Sequence, residues 1–450
     1  MTNNLLCAIL TAAKEMFFMQ TLMSLSVCLF AGLILSRLAK LVKLPAVTAY
    51  LVAGIVVGPY VLGSLGIPGL GFVSMEDIKS YELIPDVALG FIAFLIGNEF
   101  RLAQLKATGK QATVIGIVQA VFATLLVDAA LIGLHFIIPD KLPLPSAIVL
   151  GAVASATAPA ATLMVVKQYK SKGPLTDILL PIVALDDAVG LVLFAVSFGV
   201  AKALIHGHVD VLSIVIEPIL EVVLSLLLGF IMGVVFTFTE KFFHSRSKRL
   251  AVSVTFVFFT VALSMLEFNI GGVHIAFSSL LVCMMLGTVF CNMCDFSEEL
   301  MDRVDRWTAP LFVLFFVISG AELELSTFQD IVVVGIGIAY IAFRSLGKYF
   351  GARISAKAVK CDEHIVKYLG ITLLPQAGVA LGMALKAEAL GPEGMVVTNI
   401  TLFSVLIYEL VGPFLTKVAL TKAGEIKPDG AVSARQPDTI QPELKKNKAK

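Results

Sequence analysis

Charge is what this sequence has least of. Asp, Glu, Lys and Arg make up only 15% of the residues, against about a quarter in soluble domains, so water is not the main solvent of the folded chain. The six cysteines are scattered. Cys291-x-x-Cys294 has no second pair to complete a metal site, so these side chains read as small apolar groups near a helix end. No nucleophile–base constellation and no metal-ligand spacing emerges, which removes support for an enzymatic role. No cofactor and no resident metal are expected. A net charge of +1 gives no footprint for nucleic acid. The first apolar stretch lacks a basic start followed by a small-residue cleavage site, so it is expected to stay as a helix and not to leave as a signal peptide.

Apolar residues are abundant instead: 58% of the chain is hydrophobic and the mean hydropathy is +0.93. A bilayer core of about 30 Å needs roughly 20 apolar residues per helical span. Stretches of that kind recur at 16–38, 44–64, 83–100, 108–137, 143–167, 174–202, 211–240, 248–268, 271–291, 307–322, 330–357, 364–386 and 395–420. The fold class is therefore an all-α polytopic membrane protein of about thirteen spans. Alternate loops test the count, because cytoplasmic loops collect Lys and Arg. One set, with the C-terminal tail, holds 27 basic residues and the other holds five. This asymmetry predicts an N-terminus outside and a cytoplasmic C-terminus; the membrane is expected to be a plasma (bacterial inner) membrane. Two basic residues belong to neither set. Arg344 and Lys348 both fall within the eleventh span.

An internal match divides the chain. Phe94-Leu-Ile-Gly-Asn-Glu-Phe-Arg-Leu102 ends the third span and Val317-Ile-Ser-Gly-Ala-Glu-Leu-Glu-Leu325 ends the tenth. Seven spans separate them, an odd number, so the two copies cross the membrane in opposite directions, as in transporters built from inverted repeats. The predicted organisation is an outer N-terminal segment (1–15), a first repeat of spans 1–6 (16–202), a linker with span 7 (203–247), a second repeat of spans 8–13 (248–420) and a disordered cytoplasmic tail (421–450). The fifth member of each repeat carries polar and helix-breaking residues: Gly151-Ala-Val-Ala-Ser-Ala-Thr-Ala-Pro159 and Leu374-Pro-Gln-Ala-Gly-Val-Ala-Leu-Gly382. Proline removes a backbone hydrogen bond and clashes with the preceding turn. Pro159, Pro375 and Gly378 thus mark two helix breaks whose freed carbonyls and dipole ends can hold an ion. Ser155, Thr157 and Gln376 are candidate cation ligands there, or else satisfy the freed backbone groups.

The other expensive feature is a pair of carboxylates, Asp186-Asp187, at the midpoint of the sixth span. A charge at the bilayer centre costs at least about 2.5 kcal/mol, so such a group is a functional candidate by default. Desolvation and mutual repulsion both oppose two simultaneous negative charges, so a proton and a dehydrated cation compete for the pair. That competition is the minimal chemistry of antiport. Neighbouring helix positions point about 100° apart; Asp187 is assigned as the cation and proton carrier and Asp186 as the one turned to a countercharge. Arg344 and Lys348, spaced i, i+4, share one face and either can supply it. Lysine can lose its proton when buried and become a second proton carrier, whereas arginine stays charged. Asp128, Glu221 and Glu409 lie singly within spans and read as interface or structural groups.

These segments together resemble the monovalent cation:proton antiporter superfamily, in its second branch, which holds bacterial Na⁺/H⁺ antiporters and K⁺ efflux proteins. The resemblance rests on Leu44-Pro-Ala-Val-Thr-Ala-Tyr-Leu-Val-Ala-Gly-Ile-Val-Val-Gly-Pro59, Leu95-Ile-Gly-Asn-Glu99, Ser155 to Thr162, Leu185-Asp-Asp-Ala188, Gly347-Lys-Tyr-Phe-Gly351 and Leu374-Pro-Gln-Ala-Gly378. It implies a core domain of crossed broken helices, a scaffold domain that forms a homodimer, and elevator-like alternating access in membrane lipid. Paired aspartates resemble the electrogenic members, which exchange two protons for one Na⁺. The Gly-Lys-x-x-Gly context favours Lys348 as the aspartate partner, while depth in the span favours Arg344. Na⁺ or Li⁺ and H⁺ are the expected substrates; K⁺/H⁺ exchange and sodium-coupled transport of an organic solute on a related fold are the alternatives. A C-terminal nucleotide-binding domain like that of the K⁺ efflux members is not expected.

Overall fold

The computed structural model of the chain describes residues 2–41, 44–67, 69–97, 100–206, 217–270, 273–323 and 331–426. Asn98 and Glu99 of the first repeat marker, part of the linker (207–216) and the tail from 427 lie outside the described residues. In chain order the helices are α1 (Thr2–Leu41), α2 (Ala46–Val57), the short α3 (Met75–Lys79), α4 (Leu83–Gly97), α5 (Leu102–His135), α6 (Leu144–Val153), α7 (Pro159–Tyr169), α8 (Pro174–His206), α9 (Glu217–Lys241), α10 (Arg246–Ser264), α11 (Ser279–Met293), α12 (Ser297–Ala321), α13 (Ile331–Ala358), α14 (Glu363–Thr372), α15 (Gly378–Ala387) and α16 (Pro392–Lys422). Eight of them are long and apolar enough to cross a membrane alone: α1, α5, α8, α9, α10, α12, α13 and α16. Adding α2, α4 and α11 and the two interrupted pairs α6–α7 and α14–α15 gives thirteen helical units, in the order expected from the apolar runs.

Three boundaries differ from expectation. The helix of the first span begins at Thr2, so it takes in most of the segment set apart as 1–15. The ninth span starts at Ser279 and not at 271, because Phe268–Ile270 and Val273–Ile275 alternate β-branched and aromatic residues and pair as an antiparallel hairpin. Ser278 then caps the helix by accepting the Leu281 N–H at 3.4 Å. Finally, the part of the tail between 421 and 426 is folded. The Glu425 carboxylate accepts the N–H groups of Leu175 and Thr176 at 2.6 and 2.8 Å and the Thr176 hydroxyl at 2.6 Å. An acid at the first turn of α8 satisfies orphan donors and complements the helix dipole.

Small residues set the closest helix crossings. A Cβ on Gly54 of α2 would lie 2.0 Å from the Val317 carbonyl oxygen of α12, and one on Gly320 would lie 2.2 Å from the Leu51 oxygen. The same arrangement recurs where α4 meets α11: a Cβ on Gly97 would meet the Met284 oxygen at 2.3 Å and one on Gly287 the Phe94 oxygen at 2.1 Å. In each crossing a helix of the first half lies backbone to backbone on one of the second, which only glycine permits. Around the second crossing Phe236 and Phe290 pack with ring centroids 4.3 Å apart, joining α9 to α11. Gly54→Val should therefore lower the thermal midpoint of detergent-solubilised protein by several degrees, since overpacking costs about 1–3 kcal/mol or more. Gly335→Ala, where an added Cβ meets nothing within 4 Å, should leave it within a degree or two. Thermal scans followed by size exclusion check both; equal midpoints for Gly54→Val and wild type would contradict the close crossing.

Candidate ion-exchange site

The two interrupted helices cross at their breaks. Pro159 occupies the first position of α7, where its missing N–H costs nothing, and Ala158 before it is extended, with φ −80° and ψ 105°. Residues 154–158 thus leave the helical path, as do 373–377 between α14 and α15. The Ala158 N–H donates to the Pro375 carbonyl at 2.9 Å, tying one break to the other.

A break in the interior frees carbonyl groups that must find donors. Here the donors come from α13. Arg344 donates Nε to the Ala154 carbonyl at 3.1 Å and its two terminal nitrogens to the Ala156 and Leu374 carbonyls at 2.6 and 2.7 Å. One guanidinium therefore holds both breaks, with its face 4.4 Å from the ring centroid of Tyr408. One turn further along α13, Lys348 donates to the Ser155 carbonyl at 2.5 Å, to the Thr157 hydroxyl at 2.9 Å and to Asp186 Oδ2 at 2.9 Å. Both basic side chains are 0% exposed, so neither snorkels to an interface.

The two aspartates have opposite surroundings. Asp186 is saturated: Oδ2 accepts from Lys348 and, at 2.6 Å, from the Thr157 hydroxyl, while Oδ1 accepts from the Gln119 side-chain amide of α5. Asp187 is 1% exposed, and neither of its carboxylate oxygens has a hydrogen-bond partner. A buried carboxylate without donors is costly unless it carries a proton or a cation. The pair thus consists of one acid locked into an ion pair and one left open.

The polar residues of the breaks bond within the protein. Ser155 donates its hydroxyl to the Ala152 carbonyl at 2.6 Å. Gln376 donates its amide to the Val153 carbonyl at 3.0 Å and to the Tyr340 hydroxyl at 2.9 Å. Thr157 is shared between Asp186 and Lys348. An added Cβ on Gly378, the first residue of α15, meets nothing within 4 Å. Gln119, Tyr340 and Tyr408 complete the site and were not singled out from the sequence; the one available signal was a lone amide deep in the apolar run Gly116-Ile-Val-Gln-Ala-Val-Phe122. Among the described residues no group of three or more His, Cys, Asp or Glu is placed to hold a metal ion.

Crossed broken helices around buried acids and bases define a secondary transporter, not an enzyme. Residues 24–422 match the family model described as sodium/hydrogen exchanger, transmembrane, and the chain belongs to that family of antiporters. It is 22% identical over 410 residues to the Na⁺/H⁺ antiporter NhaS4 of Synechocystis sp., an alignment covering 86% of this chain and 93% of that protein. Two solved structures of the sodium proton antiporter MjNhaP1 from Methanocaldococcus jannaschii share its fold. The structure at pH 8 is 18% identical with a TM-score of 0.66, and one from electron microscopy is 17% identical with a TM-score of 0.69. Each superposition covers 91% of this chain and 99% of the other.

Proposed function

We propose that the chain exchanges Na⁺ or Li⁺ for protons electrogenically by alternating access, with Asp187 as the cation and proton carrier. The observation that carries this reading is the open, buried Asp187 carboxylate beside a saturated Asp186. Deprotonated, Asp187 needs a positive partner, and a dehydrated monovalent cation and a proton are the species small enough to serve in turn.

Lys348 supplies the second proton. In the proton-loaded form Asp187 is neutral and the Lys348–Asp186 ion pair carries no net charge. A cation drawn to both aspartates competes with the Lys348 ammonium for Asp186, and a buried lysine that loses its partner sheds its proton. The cation-loaded site then holds one positive ion against two carboxylates, a net charge of −1. One charge therefore crosses per cycle, with two protons exchanged for one cation. Arg344 stays charged and holds the crossing together. The proposal includes a homodimer whose core carries the site past a fixed scaffold, in an inner membrane with the basic loops and the C-terminus in the cytoplasm; the loop asymmetry supports that orientation.

Proteoliposomes containing a pH dye test this directly. Na⁺ or Li⁺ added outside should dequench the dye, at a rate that changes when potassium and valinomycin impose a voltage. A response only to K⁺, or to no cation, would sink the reading, and a Na⁺ response indifferent to voltage would remove the second proton.

A further inference from the structure

Gln119 touches Asp186 from a helix that carries neither a break nor a charge at the site. It lies midway along α5 and is 0% exposed. A Cβ on Gly351 of α13 would lie 2.9 Å from the Gln119 Cα, and one on Gly347 would lie 2.7 Å from the Cα of Ala123, one turn further along α5. These two glycines flank Lys348, so α13 and α5 meet backbone to backbone at that level. The close approach brings Lys348 and Gln119 to the same carboxylate from two helices. Lys348 and the Thr157 hydroxyl donate to Asp186 Oδ2 and Gln119 donates to Oδ1. Among the described residues Gln119 is the one donor to Oδ1.

The amide is held by its nitrogen alone. Nε2 gives one proton to Asp186 Oδ1 and the other to the Gly116 carbonyl at 3.0 Å, whereas Oε1 is buried with no hydrogen-bond partner. A buried amide oxygen without a donor is costly, so the side chain is arranged to serve the carboxylate and not to satisfy itself. Because its second N–H is tied to its own helix, the amide cannot follow Asp186 if the carboxylate turns. The Asp186 carboxylate is thus fixed from α5 on one oxygen and from α13 and the first break on the other, while both oxygens of Asp187 stay without a partner.

We propose that Gln119 is a positioning residue that sets the cation affinity of the site: it holds Asp186 turned to α5 and α13, so that a cation at Asp187 recruits the second carboxylate only by breaking the Gln119 bond. This inference rests on the exchange reading above, in which the cation is drawn to both aspartates. A hydrogen bond to a charged group is among the stronger ones in a protein, and its loss is subtracted from the binding of the ion. The bond therefore keeps the cation loosely held, which favours its release on the far side. Without Gln119 the carboxylate turns towards Asp187 at lower cost, and the ion is held more tightly.

The test is the Na⁺ and Li⁺ dependence of exchange in proteoliposomes of the full chain, at alkaline pH, where protons compete least. Gln119→Met has a similar length and no donor, and should lower the apparent KM for cation by about tenfold, the low end of what one hydrogen bond to a charged group contributes. The maximal rate should fall or stay, since a tightly held ion leaves slowly. A merely structural role predicts the opposite sign, because a damaged site binds its ion more weakly. Gln119→Asn, whose amide stops one methylene short of Oδ1, should shift KM in the same direction and carries the test if Gln119→Met does not fold. An unchanged or raised KM in the folded variants, or failure of both to fold, would overturn the role of Gln119. A wild type that exchanges neither Na⁺ nor Li⁺ would sink the exchange reading instead, so the two failures are distinguishable.

Discussion

Asp187→Asn is expected to abolish cation–proton exchange, to the level of empty liposomes, at any Na⁺ or Li⁺ concentration. Asparagine keeps the shape of the side chain but can neither carry the proton nor offer a full negative charge to a dehydrated cation. Because neither Asp187 oxygen has a partner, the substitution breaks no bond, and it removes a buried group that is costly when charged. The thermal midpoint should therefore stay at the wild-type value or rise. Asp186→Asn should behave differently: it leaves Lys348 buried without its counterion, and breaking a buried pair costs about 3–5 kcal/mol, so that variant should lose stability as well as exchange. Dye dequenching with cation titrated to saturation, paired with thermal scans of the purified variants, separates the two. Full exchange by Asp187→Asn at saturating cation would refute its role as carrier.

The thirteen helical units were legible because the bilayer imposes a length and a solvent on every span, and because the basic residues sort into alternate loops. Where the requirement was weaker, so was the reading. The hairpin before α11 is absorbed into an apolar run, although Asn269 and His274 alternate there with Phe268, Ile270, Val273 and Ile275. Glu425 lies at the start of a polar stretch, and nothing local shows that its carboxylate caps α8, 249 to 250 positions away.

At the site, the prolines marked both breaks and the charge count isolated Arg344 and Lys348. The division of labour between them was not legible. Residues at i and i+4 share a helix face and differ by one turn in depth, so the sequence places both near the crossing without saying which meets the acid. Geometry distinguishes them, because the guanidinium fork fits three carbonyls of two breaks while the ammonium one turn away reaches Asp186. Gln119 escaped for a similar reason: an amide in an apolar run announces a buried hydrogen bond but not its partner.

That division yields the second large effect. Arg344→Gln should fail structurally, since it removes three charge-assisted bonds, to the carbonyls of Ala154, Ala156 and Leu374, which stay buried. Charged hydrogen bonds contribute about 1.5–3 kcal/mol each, and the unpaired carbonyls add their own desolvation, so the total is a large part of the roughly 5–15 kcal/mol that holds a folded protein together. The variant should aggregate on solubilisation or melt far below wild type. Arg344→Lys should rescue it only in part, because an ammonium is a compact point charge and cannot span three acceptors as a planar fork does. Lys348→Gln breaks the buried pair from its other side and should lose stability much as Asp186→Asn does, but its amide can still donate to the Ser155 carbonyl and Asp186, so the folded fraction lacks only the second proton. Exchange should continue at a reduced rate with one proton per cation, and imposed voltage should no longer change it. The same liposomes report both properties, the rate from the dye and the charge from its response to potassium and valinomycin. If Lys348→Gln remains voltage-sensitive while a folded Arg344→Gln does not, the roles of the two residues are the reverse of those proposed.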